Sequence, residues 1–437
     1  MTAAASAPSA SRQRILVVCP TDWERTAIAS AALQEQYEFI LCCEELYDSI
    51  GLWKALRFDV RRYLDAIAAA HRDRGIAGIL GTGDYPGCIF GAYIGEKLGL
   101  PTPHPREMVR LSHKFYSREL QKKLVPEATP EFEALHPGSL RPPRALGYPY
   151  FVKPVKGTMS IRAQMVHSPQ DLRRALTFSV RERVRGWALL RPFAQLLSAY
   201  FPQPVPAHAF IAEAPLRGQQ VTVDGFVQNG QVTVMGIVDS IMYPGTMSFQ
   251  RFEYPSALPP AVQERMSAIT TRLMSSAGLD HSCFNIELFY DPQSDAVSII
   301  EINPRMSYQF SDLFERVDGM SSFSVQLALA TGRPVVWPRG GGPDRAAASF
   351  VMRRFTDAQV LAVPQPAELA AIAERVPGAH IKVLCAKGER LSDHDQDVGS
   401  YRYCITNLAA PSREELHARY AVVEQLLPFR FAEPDGR

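Results

Sequence analysis

The chain predicts an α/β (α+β) protein built from more than one layered unit, on three observations. Between Arg14 and Leu100, short apolar runs alternate with segments of helical period. Between Phe284 and Arg305, two runs alternate apolar with polar residues on either side of a turn. Beyond Ala346, further strand patterns precede a helix with its own start signal, Ser412-Arg413-Glu414-Glu415. Apolar residues recur every second place in a half-buried strand and every three or four places in a helix, so these patterns separate the two.

The 437 residues suggest about three domains, at roughly 150 residues each. An apolar content of 46% and a charged content of 21% describe an ordinary globular chain. With 47 basic and 45 acidic residues, the net charge of +2 gives no argument for nucleic acid or an anionic membrane as partner. The seven cysteines are scattered, and the neighbours Cys42 and Cys43 lack matching pairs, so free thiols in a reducing compartment are expected. No apolar run has the length of a membrane span. Residues 1–13 are Ala/Ser/Pro-rich without an apolar signal-peptide segment, so a disordered tail and a cytoplasmic location are expected.

Arg14 to Pro20 is a continuous apolar run of the kind a buried parallel strand shows. Helical patterns over Asp22–Leu33, Phe58–Arg74 and Pro86–Leu98 alternate with strand patterns at Tyr37–Cys42 and Gly78–Gly81. This predicts an open, doubly wound unit over residues 14–105. Ligands collect at the carboxyl ends of such strands. Gly81-Thr82-Gly83-Asp84 lies at one of them. It reads as a tight strand-to-helix turn, or as a loop in which Asp84 contacts a substrate.

After the Pro-rich link at 98–105, residues 106–124 are helical and contain Lys114. Taken alone, Lys114 reads as a solvated charge. Tyr150-Phe151-Val152-Lys153-Pro154 is a strand ending in a proline that keeps Lys153 extended. A small-residue loop with Gly157, Thr158 and Ser160 follows, able to turn N–H groups and hydroxyls toward phosphate oxygens. Ser168 and Pro169 start a helix expected to run to Arg185. Ala209 to Ala214 and Arg217 to Gly225 read as strands, as does Gln231 to Val238. Residues 239–249, with Arg251 beyond, read as a loop that either lines a substrate pocket or crosses the surface. Pro260 to Ala277 is amphipathic, with Val262, Met266, Ile269 and Leu273 on one side. Residues 306–311 read as a loop, 317–330 as a helix and Gly340-Gly341-Gly342-Pro343 as a flexible link. A small α+β unit over 345–437 is expected, with strands near 350–354 and 381–386. His394 among Asp393, Asp395 and Asp397 reads as solvated, or as a metal cluster.

The hairpin carries the chemistry. Asn285 and Glu287 share one face of the first strand; Glu301, Asn303 and Arg305 share one face of the second. Antiparallel pairing sets Glu287 beside Glu301, and two carboxylates that close repel unless a cation lies between them. Oxygen ligands with an adjacent amide suit Mg²⁺, which keeps waters and phosphates in its shell.

Glu287, followed on the next strand by Glu301-x-Asn303-x-Arg305, resembles the metal-binding strands of the ATP-grasp superfamily. The resemblance covers roughly Pro101 to Pro334, through the order of Lys114, the Lys153 strand and its loop, the Glu213 segment and the hairpin. It implies an ATP-grasp fold over 106–334, with a lid over about 147–213. It further implies a ligase that activates a carboxylate with ATP as an acyl phosphate and passes it to an amine or thiol. Lys114 and Lys153 would hold phosphates, with Gly157 and Ser160 in the lid loop. Glu213 and Ala214 would meet the adenine. Gln220 stands where relatives often place an acid on the ribose. Glu287, Glu301 and Asn303 would bind Mg²⁺, two ions being usual and Mn²⁺ a substitute. Arg305 would steady the acyl phosphate. Asp84 and Arg251 are the substrate candidates. The partners implied are a small-molecule carboxylate and an amine, and a homodimer is left open. A biotin-carboxylase-like activation of bicarbonate, or nucleotide binding without turnover, are the alternatives.

Overall fold

A computed structural model describes residues 12–44, 57–136, 138, 141–157, 162–202, 204–394 and 399–432. The expected tail therefore lies almost wholly outside the described residues, as do Ser160, Asp395 and Asp397.

The first strand, β1 (Gln13–Val18), pairs in parallel with β2 (Tyr37–Cys42) and β3 (Ile76–Leu80), in the order β2-β1-β3. Ile15 to Val18 are buried, as a strand covered on both faces requires. The helix expected over 22–33 is two helices, Asp22–Ile28 and Ala31–Gln36. Helices Val60–His71 and Gly87–Leu98 pack against one another and cover the sheet. At the end of β3 the chain turns so tightly that a Cβ on Gly81 would stand 2.4 Å from the Gly87 carbonyl oxygen. Only glycine fits there.

The segment 106–124 is likewise broken, into Pro105–Ser112 and Lys114–Leu124, with the fully buried His113 as C-cap of one and N-cap of the other. A four-stranded antiparallel sheet follows: β4 (Phe132–Leu135), β5 (Tyr150–Pro154), β6 (Gln164–Val166) and β7 (Phe210–Glu213), in the order β4-β7-β5-β6. The helix expected over 168–185 stops at Leu176. Ser179 and Glu182 then form a capping box that starts a new helix, Val180–Tyr200.

The largest sheet has eight strands. They include β8 (Gln219–Gln228), β9 (Gln231–Met242), β10 (Phe249–Tyr254), β11 (Ser282–Asp291), β12 (Ala296–Asn303) and β13 (Ala346–Arg354). A short β14 (Val360–Ala362) lies outside it. Strands β15 (His380–Val383) and β16 (Tyr401–Ala410) complete it, in the order β12-β11-β8-β9-β10-β13-β16-β15. A terminal β17 (Arg430–Phe431) pairs with β14. Helix Pro260–Ser275 buries Val262, Met266, Ile269 and Leu273 in one cluster with Val221, Val223, Phe284 and Ile286. The same cluster takes in Ile89 and Phe90, so the first sheet and the large sheet share apolar core.

Four expectations are corrected. Residues 239–249 are not a loop: β9 runs to Met242 and β10 begins at Phe249, leaving a short turn. Residues 306–330 form two helices, Tyr308–Asp318 and Ser322–Ala330, divided at Gly319 in left-handed conformation. Gly340 to Gly342 are packed: the N–H of Gly342 donates to the Val317 carbonyl, that of Gly340 to Asp318, and a Cβ on Gly342 would lie 2.3 Å from the Arg316 oxygen. The strands after 345 are not a unit apart: β13 pairs with β10, so that β13, β16 and β15 continue the large sheet, and only β14 and β17 pair by themselves.

Candidate active site

A cavity of about 780 Å³ lies between the four-stranded sheet, the polar face of the large sheet and the loop after β3. This is the size range of small-molecule sites. Its floor is the hairpin of β11 and β12. Glu287 stands directly opposite Glu301, and Asn285 opposite Asn303, as strand alternation requires.

The two carboxylates are pushed apart in acidity. Burial, and then the charge of Glu301, raise Glu287 to about 7. Burial works against ionisation of Glu301 as well, but Lys114 and Lys153 outweigh it and hold this carboxyl below its usual range. Lys114 Nζ lies 3.1 Å from Glu301 Oε2 and donates to the Gly157 carbonyl at 3.0 Å. Asn303 Nδ2 donates to Asn285 Oδ1 and Glu287 Oε1 at 3.2 and 3.3 Å.

Among the described residues no three His, Cys, Asp or Glu side chains share a metal-ligating arrangement. A cation here would therefore take two carboxylates and an amide and complete its shell with water and phosphate oxygens. That partial, oxygen-only set fits Mg²⁺. His394 pairs with Glu389 at 2.9 Å, and the Asp395 and Asp397 of the cluster expected around it lie outside the described residues.

Lys153 is buried at the end of β5, with Nζ 2.8 Å from Glu213 Oε2 and 3.1 Å from the Ile300 carbonyl oxygen. Arg118, from helix Lys114–Leu124, donates Nε to Glu213 Oε1 at 2.7 Å and Nη2 to the same Ile300 oxygen at 2.7 Å. Burial disfavours the Glu213 charge, but these two cations hold its carboxyl at about 2. The side chain of Glu213 is thus engaged in an ion triad. Ala214 lines the cavity, and its N–H bonds the Glu131 carbonyl. Gln220 donates to Glu287 Oε2 at 3.0 Å, so its amide faces the carboxylate pair. Gly157, the last described residue before the loop expected to act as a lid, lines the cavity.

Arg305 points into the same space. Its acid partner is Asp84: Nε and Nη2 donate to the two carboxylate oxygens at 3.1 and 3.3 Å. A side chain of the first unit therefore braces one of the hairpin's unit, across 221 residues of sequence. Burial opposes the Asp84 charge; Arg305 and Lys156 overcome it and keep the carboxyl below its usual value. Arg251 does not line the cavity. A bulge between Phe249 and Arg251 leaves Phe249 and Phe252 on the cavity wall. Arg251 bonds Glu253, which also accepts from Arg413 and His417 of helix Arg413–Leu426.

Several cavity and network residues were not legible beforehand. Lys156 is buried over the rings of Tyr85 and Phe193. Asp224 is fully buried behind the hairpin, accepts from Asn285 at 2.9 Å, and is raised by burial to about 7. Gln309, Arg353 and Arg402 line the far end. Of these, only Asp224 had a signal, a polar group at an inward place of a strand pattern.

Two antiparallel sheets closing on a cavity floored by acids and walled by lysines define a nucleotide-clasping fold. Residues 146–311 match the ATP-grasp domain family, and the chain carries an ATP-grasp domain within an ATP-grasp fold. L-amino acid ligase from Bacillus licheniformis superposes with a TM-score of 0.70 at 16% identity, covering 97% of this chain and 99% of that one. Biotin carboxylase from Campylobacter jejuni, solved as a β,γ-ATP complex, gives 0.65 at 14% identity over 96% and 92%. N5-carboxyaminoimidazole synthase from Aspergillus clavatus, solved with ADP and 5-aminoimidazole ribonucleotide, gives 0.63 at 14% identity over 95% and 99%. These likenesses establish the shared fold. No helix among the described residues is long and apolar enough to cross a membrane, and no disulfide joins any of the seven cysteines, all of which are described.

Proposed function

We propose that the protein is an ATP-dependent ligase that joins a small carboxylate to an amine, releasing ADP and phosphate. The observation that carries the reading is convergence: Lys114, Lys153 and Arg305 meet the Glu287–Glu301 pair in one cavity. Lys114 and Lys153 are point charges suited to phosphate oxygens. With nucleotide present they exchange part of their present pairing with Glu301 and Glu213 for it. Glu287, Glu301 and Asn303 hold Mg²⁺, which when bound neutralises phosphate charge. Glu213 holds Lys153 in place, and the backbone at Ala214 offers the hydrogen-bonding edge for a purine.

A carboxylate oxygen of the acid attacks the γ-phosphorus, and the bond to the β-phosphate oxygen breaks to give ADP. The amine nitrogen then attacks the acyl carbon, losing a proton as the C–N bond forms, and phosphate leaves. Negative charge grows on the acyl oxygen in this second step. The Arg305 guanidinium, held by Asp84, offers it fixed donors.

The test is ADP and phosphate release on a panel of carboxylic acids and amines, singly and in pairs. Release that requires both partners supports the ligase. ATP binding without release on any pair would leave a nucleotide-binding protein instead.

A further inference from the structure

The cavity does not stop at the reacting groups. Beyond Gln309 it follows β9 and β10, with Met242, Met247, Phe249 and Phe252 as walls, and ends at Arg353 and Arg402. These two arginines are register partners on neighbouring strands, β13 and β16, so their side chains leave the sheet on the same face. Arg353 is buried and fixed: Nε donates to the Phe249 carbonyl at 2.8 Å and Nη1 to Ser400 Oγ at 3.0 Å. Ser400 is bonded in turn to Ser248 at 2.8 Å, which ties the turn between β9 and β10 to the same point. Between β11, which carries Glu287, and β13 there are four strand spacings, roughly 19 Å.

A molecule that fills this space is elongated, apolar in the middle and negative at its far end. Guanidinium groups present planar, forked donors matched to a carboxylate or a phosphate. Methionine walls adapt to bodies of different shape. The nucleotide end of the cavity is the other one, at Lys153 and Glu213. The arginine end is thus the side from which a nucleophile reaches an acyl group seated at Arg305.

We propose that Arg353 and Arg402 form an anion subsite for the nucleophilic co-substrate, an amine carrying a carboxylate or phosphate beyond an apolar body. This rests on the ligase reading above.

The experiment separates the two. Hydroxylamine replaces the amine, and the hydroxamate formed from ATP and each carboxylic acid of a panel reports acid activation alone. Phosphate release is then measured with amino acids whose amine and carboxylate are separated by an apolar chain or ring, their uncharged amides and aminoalkyl phosphates as nucleophiles. The wild type is expected to prefer an anionic amine over its uncharged counterpart by tenfold or more in kcat/KM. Arg402→Gln should lose that preference, roughly ten- to a hundredfold for the anionic amine. It should leave the amide rate and hydroxamate formation unchanged. Arg353→Lys keeps the charge without the fork and should weaken the carboxylate more than the phosphate. The unfolding transition of each variant confirms folding. Whichever anion shows the larger loss names its chemistry. Equal use of amide and acid by the wild type overturns the subsite and leaves the ligase standing, as does an Arg402→Gln that lowers hydroxamate formation. No hydroxamate from any acid overturns both.

Discussion

Glu213→Gln isolates the ion triad of Glu213, Lys153 and Arg118. The change keeps the shape of the side chain and removes its charge. Arg118 and Lys153, now 2.7 and 2.8 Å from its oxygens, are left buried without a counter-ion. Removing one member of a buried pair costs about 3–5 kcal/mol. Acidity gives a second route to the magnitude. The cations outweigh burial and hold the carboxyl at about 2 against the usual 4.5. At about 1.4 kcal/mol per tenfold change in ionisation, that corresponds to about 3 kcal/mol. The folded value lies below the unfolded one, so this stability is complete above about pH 4.5 and is lost as pH falls toward 2. Urea unfolding of ligand-free protein at pH 7 should therefore place the variant about 3 kcal/mol below wild type, with the gap narrowing in acid. Lys153→Met should cost less, because Glu213 keeps Arg118. A loss under about 1 kcal/mol at pH 7, or a gap that widens in acid, would refute an energetic role for the triad.

Arg305→Lys should preserve ATP affinity and lower kcat by about 10²–10³, because the forked donors are lost while the charge stays; a lowered melting temperature with normal kcat would make the Asp84 pair purely structural. Lys114→Ala should weaken ATP binding about tenfold or more, read by calorimetry, and unchanged affinity would take Lys114 out of the site. Glu287→Gln should abolish turnover. Because burial and Glu301 raise the folded Glu287 above its unfolded value, wild-type stability without metal is favoured below about pH 4.5 and falls as pH rises through about 7. The variant should lack that slope in melting curves taken with chelator, and a slope that persists would assign it elsewhere. Gly81→Ala places a methyl against the backbone of Gly87 and Gly91 and should cost about 1–3 kcal/mol in unfolding experiments; an unchanged value would mean the turn has room to shift.

Much of the hairpin could be read from the chain alone. Its polar residues repeat at the strand period, and a tight turn fixes which carboxylates meet, so Glu287 and Glu301 followed from local pattern. Asp84 was identifiable as a ligand-side loop residue, but not its grip on Arg305, which depends on how the first sheet docks onto the large one. Breaks in helices were missed where a second capping signal lay inside a continuous pattern, as at Ser179 and Glu182. Arg353 and Arg402 gave no warning. Each is an ordinary charge in its own segment, and they become neighbours only when β16 pairs with β13.

That pairing bears on how the chain can be cut and recombined. Strand β10 meets β13 through Arg251 with Phe350, Phe252 with Ser349, Glu253 with Ala348 and Tyr254 with Ala347. A chain ended near residue 345 would strip β10 of this neighbour and leave its N–H and C=O groups open to any passing strand, a route to aggregation. The residues after 345 are therefore poor candidates for trimming in crystallisation or expression work. Exchanged as a block between proteins of this fold, they would bring Arg353 and Arg402 along. Such a chimera would change what the far end of the cavity recognises while leaving the Glu287 and Glu301 floor in place, provided the four-pair register is kept.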